Sequence, residues 1–300
     1  MAESRVLPLS IPVARLAMLF FAFMILPFSA CTSPSVRPED KPDSEVAGLP
    51  ACQQYTSPDN KAGSWSDLVV LAGAEPGPLL MVVAGVHGDE ASGPLAARRL
   101  ASAPPPLRGT LVILPVASPE AMAAGQRWLP GWSDLNRAFP DADEYNDSGS
   151  TRSTRSAYAA TDPTYLRADE ILALIVSVYP DLVLDLHESD EYWTEGDGPA
   201  LVVPASAALT ESMESPSSAE LALALLELPG MEGFAFTGPP PAGSLVEAVD
   251  GLLGVPALLV EMPDSMASDD RISVYLAVVH GAMQVLGMGE GTVPLTGESP

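Results

Sequence analysis

A short apolar run that ends in a glycine-rich turn constrains this chain more than any other feature. Residues 79–84 (LLMVVA) are apolar and partly β-branched, which is typical of a buried strand in a parallel sheet. Residues 85–90 (GVHGDE) follow, and residues 91–100 then consist mostly of helix formers. The sequence therefore predicts a strand, a tight turn and a helix, with His87 and Glu90 at the junction.

His87 and Glu90 are three residues apart, so that their side chains point the same way. An imidazole and a carboxylate that meet at the carboxyl end of a strand form two thirds of a His/Glu/His zinc site with a fourth position for water. His187 ends a second apolar run, residues 181–187, where open α/β sheets place their ligands. From spacing alone an alternative stays open, in which His87 caps a turn and His187 is a hydrogen-bonded strand-end histidine. The remaining histidine, His280, is expected in the core or on the surface of the final helix.

Strand-like and helix-like segments alternate along residues 51–290, and this alternation predicts an α/β fold. We expect a single domain with a mostly parallel, mixed sheet and helices on both faces. The predicted strands span 67–72, 79–84, 110–116, 181–187, 200–204, 234–237 and 257–261, and the predicted helices span 91–100, 164–178, 219–228, 245–253 and 269–286. Residues 117–163 have no clear periodicity. Their polar part, 141–163, is expected to be a functional lid or disordered.

Six motifs in this domain occur in the order of a known family. They are the pair His87/Glu90, residues 118–121 (SPEA), Arg127, residues 134–140 (DLNRAFP), His187 and Glu261. This order resembles the zinc carboxypeptidase superfamily, in particular its branch with succinylglutamate desuccinylase and aspartoacylase. Ser118 departs from the asparagine that is usual in that family.

The resemblance implies a zinc-dependent hydrolase with a zinc carboxypeptidase-like fold. His87, Glu90 and His187 would hold one Zn²⁺, and Glu261 would act as general base and then as general acid. A carboxylate in the apolar strand 257–261 is costly unless it has a role or a partner. The alternative is a glutamate at the exposed edge of the sheet.

The resemblance also implies three groups that contact the substrate. Arg127 would stabilise the oxyanion of the reaction, although an isolated loop arginine is commonly only solvated. Asn136 and Arg137 would bind a substrate carboxylate, because the planar guanidinium suits a two-pronged contact. Asp185, two residues before His187, is a candidate to orient that ligand, and solvation at the strand edge is the alternative.

These assignments predict a hydrolase that cleaves an amide bond beside a carboxylate. We favour a carboxypeptidase-type peptidase of the cell envelope, with a peptide or an N-acyl amino acid that has a free carboxylate as substrate. The alternatives are an N-acyl amino acid deacylase and a non-catalytic lipoprotein that binds zinc or another ligand. The formal net charge of −25 disfavours nucleic acid as a partner.

The amino-terminal segment has the pattern of an export signal. Residues 1–30 combine arginines, an apolar segment at 16–28 and small residues before Cys31, as in a bacterial lipoprotein signal peptide. We therefore expect export to the cell envelope, facing the periplasm or the exterior, with a lipid anchor on Cys31. An uncleaved anchor helix is the alternative. Residues 31–50 are expected to form a flexible tether, 51–290 the catalytic domain and 291–300 a tail.

Replacement of Cys31 tests the lipid anchor directly. We expect Cys31→Ser to move the protein from the membrane fraction to an unprocessed or soluble form, because the acylated thiol is lost. Fractionation with intact-mass measurement reports both properties. Unchanged fractionation and unchanged mass would instead support the anchor helix.

Overall fold

The computed structural model describes residues 53–54, 67–140, 161–189, 198–204 and 216–289. The expected signal peptide, tether and tail lie outside the described residues, as do Cys31, the expected site of the lipid anchor, and most of the expected lid. Within the described ranges, no helix has the length and apolar character needed to cross a bilayer.

Among the described residues, eight strands form one mixed sheet with the order β1-β2-β4-β3-β5-β8-β6-β7. The strands are β1 (Gln53–Gln54), β2 (Val69–Ala72), β3 (Glu75–Ala84), β4 (Arg108–Leu114), β5 (Leu182–Glu188), β6 (Ala200–Val202), β7 (Ala235–Thr237) and β8 (Ala257–Met262). β4, β3, β5 and β8 run parallel to one another, whereas β2 and β6 pair with this central group in the antiparallel direction. The carboxyl ends of the central strands therefore share one edge of the sheet.

Helices cover both faces of the sheet, as the sequence predicts. They are α1 (Ser92–Ala101), α2 (Pro119–Ala124), α3 (Pro163–Val178), α4 (Ser218–Leu226), α5 (Leu245–Leu253) and α6 (Ser268–Val285), with a 3₁₀-helix at Leu135–Arg137. A hydrophobic core lies on each face of the sheet, and alternate residues of β3 contribute to one core or the other. Leu80 and Val82 pack with α1, α4 and α6, and Met81 and Val83 pack with α3 and α5. The expected α/β fold with a mostly parallel sheet is confirmed.

Most predicted boundaries lie within two residues of the observed ones, and the differences have physical causes. β3 begins at Glu75 rather than at residue 79. Its first residues are exposed and pair irregularly with β4, so the apolar run begins only at residue 79. The stretch after residue 117 was predicted to be irregular but contains α2 and the 3₁₀-helix, which are too short for a visible hydrophobic period. β5 extends one residue beyond His187, since Glu188 pairs with Met262 of β8.

The tight turn after β3 depends on two glycines. Gly85 has a φ of +67°, in the left-handed region that glycine adopts without steric cost. A Cβ on Gly88 would lie 2.0 Å from the backbone carbonyl of Ala121. The Gly88 amide also donates to the Gln126 carbonyl at 3.0 Å. The turn thus packs directly against the segment that follows α2.

Replacement of Gly88 by alanine tests this close approach. Gly88→Ala should lower the free energy of unfolding by about 1–3 kcal/mol, the usual cost of overpacking, as measured by urea denaturation. Gly251→Ala is a matched control, because a Cβ there meets no atom within 4 Å. The control should stabilise α5 by about 0.5–1 kcal/mol. An unchanged midpoint for Gly88→Ala would contradict the packing.

Candidate active site

Two histidines and a glutamate converge where β3 and β5 end. The Nδ1 atoms of His87 and His187 lie 3.2 Å apart. The Oε1 atom of Glu90 is 2.5 Å from the first nitrogen, and its Oε2 atom is 3.0 Å from the second. All three side chains are buried, and their ligand atoms lie within 4.8 Å of one another. The pair at the turn and the histidine from the second strand therefore meet, as the sequence predicts.

Two aspartates fix the orientation of these imidazoles. Asp134 Oδ1 lies 3.0 Å from Nε2 of His87, and Asp185 Oδ2 lies 3.0 Å from Nε2 of His187. A carboxylate accepts a hydrogen bond from an Nε2–H group, so that in a neutral imidazole the other nitrogen, Nδ1, carries a free lone pair. Both Nδ1 atoms face the carboxylate of Glu90. Two imidazole nitrogens and a carboxylate that meet at one buried point can together coordinate a metal ion. These residues therefore fit a bound metal.

The charges in this cluster support that fit. Burial alone raises the pKa of the Glu90 carboxyl, but the adjacent His187 and His87 outweigh it and hold the pKa well below its ordinary value. Burial likewise lowers the pKa of His187, but Asp185 and Glu90 outweigh it and raise the pKa well above the ordinary value. The cluster thus keeps its carboxylate ionised and favours a positive charge beside it, which a proton on His187 supplies and a metal ion would replace.

Glu261 lies beside the cluster on β8. Its backbone is in register with His187 of β5, so that both side chains reach the same edge of the sheet. It is 3% exposed, and burial raises its pKa to about 7 although His187 lowers it. Within the described part of the chain, its Oε2 atom is buried without a hydrogen-bond partner. A carboxyl group with this pKa can both accept and return a proton near neutral pH.

A cleft of about 490 Å³ opens above these four residues and is also lined by Arg127, Asn136 and Arg137. The Nη1 atom of Arg127 donates to Glu90 Oε1 at 3.0 Å, and its side chain is 38% exposed. It is thus a cation at the mouth of the cleft rather than an isolated loop arginine.

Asn136 and Arg137 belong to the 3₁₀-helix, and they differ in how far their side chains are buried. Asn136 is buried and lines the cleft, and its Oδ1 atom accepts from the Leu245 amide at 3.2 Å. Arg137 is exposed, and its Nη1 atom donates to the Asn136 carbonyl at 2.7 Å. The structure therefore brings all seven sequence-predicted site residues to one cleft.

Asp134 is a site residue to which sequence reasoning assigned no role. It caps the 3₁₀-helix by accepting from the Asn136 amide at 2.8 Å, and the same Oδ1 atom meets His87. Its position as an aspartate before a short helix was a signal for the cap, but nothing local indicated the histidine 47 positions away. His280 lies in a separate cavity beside Met283, away from the cluster, as expected.

Residues 76–194 match the family model of the succinylglutamate desuccinylase/aspartoacylase catalytic domain, which confirms the resemblance seen in the sequence. No curated protein shows a significant sequence match.

Solved structures share the fold. An aspartoacylase family protein from Mesorhizobium loti is 23% identical with a TM-score of 0.54, over 75% of this chain and 62% of that chain. The product-bound ectoine utilization protein EutE (DoeB) from Ruegeria pomeroyi is 20% identical with a TM-score of 0.55, over 79% and 65%. The mDAP-bound form of Helicobacter pylori Csd4, a D,L-carboxypeptidase, is 20% identical with a TM-score of 0.50, over 71% and 51%. The chain thus spans less than two thirds of each of these structures.

Proposed function

We propose that this protein is a zinc-dependent hydrolase that cleaves an amide bond adjacent to a carboxylate, as a carboxypeptidase-type peptidase of the cell envelope. The observation that carries the proposal is the juxtaposition of the three-acceptor cluster with Glu261, a buried carboxyl group whose pKa is about 7. A metal-binding cluster alone is also compatible with a passive zinc protein. A proton carrier at its side indicates turnover.

Each group in the site has a separate role in the proposed reaction. His87, Glu90 and His187 would hold Zn²⁺, which would supply an acidified water as nucleophile and a Lewis acid for the scissile carbonyl. Glu261 removes a proton from the attacking water and delivers it to the leaving amine, a transfer that its pKa suits. Arg127 supports the negative charge that develops on the carbonyl oxygen.

The substrate carboxylate is assigned to the 3₁₀-helix. Arg137 is exposed at the cleft and offers a planar pair of donors, and Asn136 lines the same cleft. A carboxylate held there would place the neighbouring amide bond over the cluster. This arrangement favours substrates with a free acid group beside the scissile bond.

A second candidate is an N-acyl amino acid deacylase. The family model matched by residues 76–194 is that of desuccinylases and aspartoacylases, which is the specific support for this alternative. The D,L-carboxypeptidase neighbour supports the peptidase. Peptides with a free carboxyl terminus and N-acyl amino acids, assayed side by side, separate the two activities. A third possibility, a zinc-binding lipoprotein without turnover, leaves Glu261 and Arg127 without a role.

Glu261→Gln separates the proton carrier from the metal site. The change keeps the shape but removes the carboxylate that can take up a proton, so zinc content should stay near one per chain while turnover falls by at least ~10²-fold. Glu75→Gln is the matched control, because Glu75 is exposed at the opposite end of β3 and should leave both properties unchanged. Elemental analysis and steady-state kinetics provide the measurements. Near-wild-type turnover in the Glu261 variant would require another base, and a wild-type protein without zinc would overturn the proposed function.

Arg137→Lys tests the carboxylate contact. Lysine keeps the charge but loses the two-pronged geometry, whose loss costs about 1.5–3 kcal/mol, or roughly ten- to a hundredfold in kcat/KM. The loss should appear with free-acid substrates and be small with the matching carboxamides. Arg127→Ala should instead slow both substrate types, since the oxyanion forms in each. Equal losses for Arg137→Lys on acids and carboxamides would assign the carboxylate contact elsewhere.

A further inference from the structure

A buried carboxylate that the proposed reaction does not use lies on the opposite face of the sheet. Glu188 follows His187 on β5, and alternation along a strand directs its side chain to the face covered by α1 and α6. It is 5% exposed. One of its oxygens, Oε1, accepts from the amides of Ser92 and Gly93 at the start of α1, at 2.5 and 3.4 Å.

Arg271 of α6 completes this arrangement. Its Nη2 atom lies 3.2 Å from Glu188 Oε2, and its Nε atom donates to Ser92 Oγ at 3.1 Å. Its Nη1 atom donates to the carbonyls of Asp264 and Pro263, at 3.0 and 3.4 Å, just after β8. One guanidinium therefore contacts the start of α1, the end of β5 and the turn after β8.

Each of these three segments carries a residue of the site. Glu90 lies two positions before Ser92, His187 lies one before Glu188, and Glu261 lies two before Pro263. A backbone group of Glu188 also contacts the site directly: its amide donates to Glu90 Oε2 at 3.1 Å.

Tyr275 of α6 adds a further contact from the same face. Its side chain is fully buried, and its hydroxyl donates to the His187 carbonyl at 2.5 Å. Two residues of α6 thus contact the end of β5, Tyr275 through the His187 carbonyl and Arg271 through the Glu188 side chain.

We propose that Glu188 and Arg271 form a positioning pair that sets the spacing of Glu90, His187 and Glu261. A buried ion pair gains little net stability over an apolar pair of the same size, so stability alone does not account for this one. A metal site, in contrast, requires its ligands to be held within about 0.5 Å of their productive positions. A guanidinium that bridges the start of α1, the end of β5 and the turn after β8 supplies that constraint from the opposite face of the sheet. This inference rests on the proposed metal-dependent function.

The test measures zinc affinity on the metal-stripped full chain by competition with a chelating dye, together with the melting temperature of the metal-free protein. Arg271→Lys keeps the charge but cannot bridge three segments, and Glu188→Gln keeps one acceptor but loses the ion pair. Each should weaken zinc binding by about tenfold or more, the usual effect of an outer-shell partner. Asp185→Asn provides the reference for a direct contact to a ligand.

Ser218→Ala is the control for a merely structural effect. Ser218 makes buried hydrogen bonds to Asp250 and to the Ala257 amide, at the other end of β8 from Glu261. The Ser218→Ala variant should lower the melting temperature without changing zinc affinity. Ser92→Ala, which removes only one contact of Arg271, is a milder variant and should weaken zinc binding in the same direction by a smaller factor.

The outcomes separate this proposal from the previous one. A wild-type chain that binds no zinc would overturn both. A wild-type chain that binds zinc, with Arg271→Lys and Glu188→Gln within twofold of it, would overturn the positioning pair alone. Weaker zinc binding in both variants, at a melting temperature no lower than that of Ser218→Ala, supports the pair.

Discussion

Two imidazole nitrogens lie 3.2 Å apart in the interior of this protein, with a carboxylate against both of them. A carboxylate against two imidazoles in a dry site needs positive charge beside it, either from a proton on an imidazole or from a metal ion in its place. Asp134 and Asp185 add to this demand, because each engages the far nitrogen of one histidine and leaves the near nitrogen as an acceptor. The fold therefore maintains a costly buried arrangement that favours positive charge and fits a bound metal ion.

The parallel sheet explains how residues far apart in sequence reach this point. β3, β5 and β8 are neighbours, and adjacent strands lie about 4.8 Å apart, so that side chains from their ends meet at ligand distances. His187 and Glu261 are paired in register, and His87 and Glu90 enter from the turn that follows β3. Alternation along β5 then assigns consecutive residues to different faces, with His187 toward the cleft and Glu188 toward α1 and α6.

The sequence predicted the parts of the site that local patterns encode. His87 and Glu90 follow an apolar run and a glycine turn, and His187 and Glu261 end apolar strands, so their convergence follows from the alternation of strands and helices. The role of Asp134 was missed, because its contact with His87 depends on how the loop after α2 folds back. Glu188 was left unassigned for a related reason, since its partner Arg271 lies on a helix that no local pattern connects to β5.

The charge of the protein bears on how such a cleft selects a substrate. The chain has a formal net charge of −25, so its long-range field opposes the approach of an acidic molecule. That field is screened beyond about 8 Å at physiological ionic strength. Arg127 and Arg137 act inside this distance, at the cleft itself. Selection of a carboxylate would therefore depend on short, directional contacts rather than on steering, and added salt would weaken the repulsion more than it weakens those contacts.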